Sequence, residues 1–181
     1  GTGGGKSFFG NKLLLQYLMF KDKCITTEKG DSFTRSTLFF GGKVYKPDMS
    51  GKIKINPFVM PTTAWEDDEM RKSVYRQMVR SMSQMCDNYD SSIQQQYFKL
   101  IKGRFETEGG TLNRTFVEGN AVTPSKLLQL MKNRWDVKRF SKEMSSFEKF
   151  TKNGLYGILF DGNSGLNMDY PCINIDYSKL V

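Results

Sequence analysis

The first residues of the chain, Gly1-Thr2-Gly3-Gly4-Gly5-Lys6-Ser7, have the types and order needed to hold a phosphate chain. The full phosphate-loop pattern is G-x-x-x-x-G-K-[ST], with Gly5-Lys6-Ser7 as its closing triplet. The opening glycine then falls one position before Gly1, so the chain is expected to be a fragment that starts inside the motif. Glycines let several backbone N–H groups converge on one anion without a Cβ clash. Lys6 supplies a point charge for the β- and γ-phosphates of a nucleotide such as ATP, and Ser7 offers a hydroxyl to Mg²⁺. The run Gly1 to Phe8 is thus the candidate cofactor site, with Lys6 also catalytic. A helix directly after the loop would aim its positive end at the same phosphates. Phe8, Leu14, Leu15, Leu18 and Met19 recur at helical spacing, which predicts that helix over about 6–20. A glycine-rich run alone also fits a flexible linker; the helical stripe behind it favours the phosphate loop.

Hydrolysis needs carboxylates as well, to help hold Mg²⁺ and to position the attacking water. Glu28 ends a short β-branched strand, Cys24 to Thr27, and is the candidate for a carboxylate facing the γ-phosphate. Its other reading is a solvated loop acid beside Lys29. Asp161 follows the apolar run Leu155 to Phe160, read as a strand, and so resembles a Walker B acid. Gly162 stands where an ATPase usually has Glu, however, and Asp161-Gly162-Asn163 is ordinary turn chemistry. Nothing selects an arginine finger among Arg35, Arg71, Arg76 and Arg80.

The elements that must position these groups follow in order. A helix over 32–40 with Asp31 or Ser32 as its N-cap, a strand at 43–45 and an alternating strand at 52–55 continue the first part of the chain. With a strand ahead of the phosphate loop, this is the βαβαβ pattern of an α/β core. From Pro61 the pattern turns helical. Thr63 and Glu66 form a candidate capping box, and Met70, Val74, Met78, Met82, Met85 and Tyr89 form one stripe. That stripe reads as a core face, or as an adaptable partner surface. Further helices are predicted from Ser92, from Thr123-Pro124, and with Val137, Phe140, Met144, Phe147 and Phe150 as a stripe. A last strand falls at 172–175. The expected division is 1–58 for the nucleotide-binding part, 61–154 for a helical insertion, and 155–181 for a return to the sheet.

The chain has 181 residues, no His and three widely spaced Cys, which argues against zinc sites and histidine triads. No apolar run is long enough to span a membrane. The net charge of +8 suits an acidic partner such as nucleic acid or a membrane surface, or simply a solvated basic face.

The ordered set of phosphate loop, Glu28-Lys29-Gly30, Gly41-Gly42-Lys43-Val44-Tyr45, Asn56-Pro57-Phe58, helical stretch and Leu159-Phe160-Asp161-Gly162 resembles the large conjugative-transfer ATPase of type IV secretion systems, in the HerA-FtsK superfamily. The resemblance implies a partial RecA-like P-loop NTPase core, its leading strand missing, with a helical insertion. It implies an ATPase that powers pilus assembly and DNA or protein export, working as a hexamer with other secretion-system subunits. The location implied is the cytoplasmic side of the bacterial inner membrane. In that family the Walker B strand lies beyond a segment like 155–181, so the fragment alone is expected not to turn over ATP. The family's acid after the second strand is usually Asp, from which Glu28 departs. A DNA-translocating or packaging ATPase of the same superfamily, and a non-catalytic interaction fragment, are the alternatives.

Overall fold

Short runs rich in β-branched residues, each ended by turn residues, build a small parallel sheet. A computed structural model describes residues 5–20, 23–107, 110–113, 122–167 and 169–180. The chain divides into two compact units, one formed by Gly1–Ile53 with Gly165–Val181 and the other by Lys54–Ser164.

The first unit holds helix α1 (Lys6–Met19), strand β1 (Cys24–Glu28), helix α2 (Thr34–Phe39), strand β2 (Lys43–Tyr45) and strand β3 (Cys172–Asp176). The sheet order is β1-β3-β2. Both pairings are parallel, with Glu28 opposite Asp176 and Tyr45 opposite Ile175. A central parallel strand has both faces covered. In β3, accordingly, Cys172, Ile173, Asn174 and Asp176 are all buried. The helix α2 is shorter than its expected range, and its N-cap position is Phe33, with no side-chain cap.

The inward face of α1 differs from the expected stripe. Leu14 is buried and Leu18 half-buried, but Phe8, Leu15 and Met19 are exposed. Gly10 explains the rotation: a Cβ there would lie 2.7 Å from the Phe33 ring. The row facing α2 and its approach is therefore Ser7, Gly10 and Asn11, which is polar and invisible to an apolar periodicity.

The second unit is helical among its described residues, apart from one isolated bridge between Glu106 and Leu112. In sequence it falls between β2 and β3. Its helices are α3 (Thr63–Glu66), α4 (Asp68–Cys86), α5 (Ser91–Phe105), α6 (Pro124–Arg134), α7 (Ser141–Glu148) and α8 (Gly157–Phe160). Asp67, in extended conformation, breaks the expected long helix and caps α4, accepting from Met70 N at 3.0 Å; the Thr63 capping box does not form. Asp90 caps α5 and Thr123 caps α6. Met78, Met82 and Met85 face the core, while Met70 and Tyr89 at the ends of that stripe are exposed. Val137 is exposed as well, because the Asp136 carboxylate accepts from Lys138 N and Arg139 N and holds 136–139 as a turn before α7.

Two predicted strands are absent. Residues 52–55 are irregular; Ile55 N donates to Leu159 O at 2.7 Å. The run Leu155 to Phe160 ends in the short helix α8 instead of forming a strand. Its tight approach fixes this: a Cβ at Gly157 would lie 1.9 Å from Thr151 O. Asn56 belongs with the helical unit, its Nδ2 donating to Val122 O and Gly162 O, both at 2.8 Å, and its Oδ1 accepting from Phe58 N. Phe58 is fully buried in the same core. The unit boundary consequently lies at Lys54 and Ser164, ahead of the Asn56-Pro57-Phe58 segment and after α8.

Candidate functional site

Gly5 opens α1 in the left-handed conformation, with φ at 69°, and a Cβ there would meet nothing within 4 Å. No side chain caps the helix and no acid stands in its first turn. The first-turn N–H groups of a helix lack intrahelical partners and attract anions. Lys6 and Ser7 are exposed in that turn, and among the described residues Lys6 makes no ion pair. Gly1, Thr2, Gly3 and Gly4 lie outside the described residues; Phe8 is exposed one position beyond Ser7.

The loop joining β1 to α2 runs beside this turn and is tied from Gly30 to Phe33. The Ser7 hydroxyl donates to Ser32 Oγ at 3.2 Å. Asn11 Nδ2 donates to Ser7 O at 2.8 Å and Ser32 O at 3.0 Å, and its Oδ1 accepts from Ser36 Oγ. Gly30 N donates to Asp176 Oδ1 at 3.1 Å. Asp31 pairs with Lys46 Nζ at 2.6 Å, and Lys46 also reaches Asp176 Oδ2 at 3.2 Å. Phe33 N donates to both oxygens of Glu28, at 3.1 and 3.2 Å.

Glu28 is thus not an open carboxylate. It is 8% exposed, and Asn174 Nδ2 donates to its Oε1 at 2.6 Å. With two donors making three contacts to its two oxygens it holds the loop, in place of the exposed tip position expected for a group facing a phosphate. Asp161 is likewise committed, within the helical unit: its carboxylate accepts from Ser125 N at 2.9 Å and from Ser125 Oγ at 2.7 Å, at the start of α6. It follows a helical turn, so the strand-then-acid geometry that a Walker B requires is absent there.

The charged cluster at the C-terminal ends of the three strands was not singled out from sequence. Parallel α/β sheets place their ligand crevices at that end. Lys46 lifts no alarm as a lysine before a proline. Asp176 ends a strand candidate much as Asp161 follows an apolar run, so the sequence pattern alone does not separate the two. Hydrogen bonds and charge from Lys46 and Thr34 lower the Asp31 carboxyl below its usual range, and Asp31 and Asp176 together raise the Lys46 ammonium.

The family model for the TraG P-loop domain matches residues 1–169. The fold is similar to that of VirB4 of Thermoanaerobacter pseudethanolicus, with a TM-score of 0.63 at 14% sequence identity. That match covers 99% of this chain and 49% of the VirB4 chain, so the chain spans about half the length of that relative. No curated protein matches. Helical and parallel-strand elements in this arrangement constitute a partial RecA-like α/β core. The chain belongs to the TraG P-loop domain family.

Proposed function

We propose that this chain is the nucleotide-binding portion of an ATP-hydrolysing motor subunit that powers type IV secretion or conjugative transfer. The observation that carries the reading is the start of α1: Gly5 in the left-handed region, an uncapped first turn without acids, and Lys6 and Ser7 exposed upon it. These features fit a nucleotide with Mg²⁺. Gly1 to Phe8 would contribute backbone N–H groups to the phosphates, Lys6 its charge, and Ser7 a hydroxyl to the metal. Held there, Mg²⁺ would supply positive charge to neutralise the phosphates. Glu28 acts in this reading as support for the β1–α2 loop and not as a base.

The segment 61–154 is read as a helical insertion between strands of the core. Assembly into a hexamer with other secretion-system subunits at the inner membrane fits this reading. Among the described residues no helix is long and apolar enough to cross a membrane. A net charge of +8 favours, as a second reading, a motor that contacts DNA directly. DNA binding that weakens steeply with salt would separate it from the first.

The test is nucleotide binding and phosphate release by the chain and its Lys6→Ala variant. Loss of a charge-assisted phosphate contact should weaken ATP binding by about 2–3 kcal/mol. The chain alone should release phosphate far below about 1 s⁻¹, the low end for competent enzymes. Equal ATP affinity in wild type and Lys6→Ala would refute the nucleotide reading. Rapid turnover that Lys6→Ala abolishes would refute the proposed inactivity of this portion.

A further inference from the structure

A hydroxyl that ligates a cation must point a lone pair at the metal and send its proton elsewhere. Partners that fix such a proton are part of a metal site, because they orient the ligand. In this chain Ser32 Oγ, 3.2 Å from the Ser7 hydroxyl, is in place to accept that proton. Ser32 is itself held. Its carbonyl takes Asn11 Nδ2 at 3.0 Å, and the same amide reaches back to Ser7 O at 2.8 Å. The loop that carries Ser32 is fastened on both sides, through Gly30 N to the buried Asp176 and through Phe33 N to Glu28. These bonds hold the Ser32 backbone beside the first turn of α1.

We propose that Ser32 is a positioning residue for the cation that accompanies the nucleotide: it accepts the Ser7 proton, leaving the Ser7 lone pairs for the metal, and Asn11 keeps the two serines in register. The inference rests on the nucleotide reading above and names a residue outside the phosphate-loop pattern. It also assigns the β1–α2 loop a task. The loop ties the metal ligand to the ends of β1 and β3, so a bound cation and the strand ends share one hydrogen-bonded frame.

The experiment is a Mg²⁺ titration of the full 181-residue chain with a fluorescent N-methylanthraniloyl-ATP probe, starting from an EDTA baseline. Ser32 is exposed, so Ser32→Ala should leave the fold intact, with circular dichroism as the check. In Ser32→Ala the Mg²⁺ concentration for half-maximal enhancement should rise by up to about tenfold, the low end for loss of a group behind a metal ligand. Binding in EDTA should be unchanged, and Ser32→Thr should restore the wild-type midpoint. Ser7→Ala should remove the Mg²⁺ dependence. A wild-type midpoint retained in Ser32→Ala overturns the inference alone. So does an equal weakening with and without Mg²⁺, which would mark Ser32 as merely structural. Absence of any Mg²⁺-dependent binding by the wild type overturns the nucleotide reading and this inference with it.

Discussion

Asp176 is 1% exposed, yet its surroundings favour the ionised form. Burial by itself raises its carboxyl. The Ser178 and Gly30 N–H groups, the Ser178 hydroxyl and Lys46 outweigh that and hold it well below the usual carboxylate range. A carboxyl that ionises more readily in the folded chain stabilises the fold wherever it is ionised in both states. That contribution is complete above the ordinary Asp value of 3.8 and is lost progressively as pH falls below it. Asp176→Asn keeps an oxygen for Gly30 N and Ser178 N but turns an amide toward Lys46. We expect it to cost about 2 kcal/mol at neutral pH. Hydrogen exchange of the β3 amides should speed up at pH 7 in the variant. Between pH 4 and more acidic conditions their protection should fall less steeply than in wild type. Unchanged β3 exchange at both pH values would show that the strand-end cluster contributes nothing to the sheet.

Helix α6 begins at Thr123-Pro124, and the sequence announces both cap and first-turn proline. Its second anchor comes from Asp161, 36 residues on. Ser125 joins the two, donating to Asp161 Oδ2 and accepting from Lys152 N at 3.1 Å. Asp161→Ala should therefore destabilise the helical unit by about 1–2 kcal/mol, as loss of a cap does. Trp65 and Trp135 both lie in that unit, so urea unfolding followed by tryptophan fluorescence reads the loss. Affinity for Mg-nucleotide should not change; a selective loss of nucleotide binding without destabilisation would return Asp161 to the catalytic candidates. The element scale is also where the sequence was most and least informative. Helices such as α6 were legible, because the Thr123 cap and the apolar stripes act within one turn of themselves. The run Leu155 to Phe160 was not, because six apolar residues suit a strand or a helical turn equally. The close approach of Gly157 to Thr151 O decides between them, and that contact is set by the return of the chain after α7. At the site, Lys6 and Ser7 were legible from the motif, whereas Ser32, Asn11, Lys46 and Asp176 meet only through sheet register and loop closure.

Across the whole molecule, apolar burial is unevenly shared. The large core of Phe58, Tyr75, Tyr97, Phe147 and their neighbours lies wholly within Lys54–Ser164. The first unit keeps a thinner interior around β3 and carries exposed apolar groups on α1, among them Phe8 at 77% and Phe20 following it at 78% exposure. The methionines divide by exposure, with Met70 at the edge of the helical unit on the exposed side, and their sulfur chemistry turns that division into a clock. Met78, Met82, Met131 and Met144 are at most 4% exposed, while Met19 is 75% exposed. Peroxide reaches a buried thioether only when its surroundings open, and the sulfoxide it leaves is too polar to repack. Mass spectrometry of peroxide-treated protein should show Met19 modified first, with the four core methionines following together at a much slower rate. Once the first of them is oxidised, the others should lose their protection, so that damage to the helical unit proceeds as a single event per molecule.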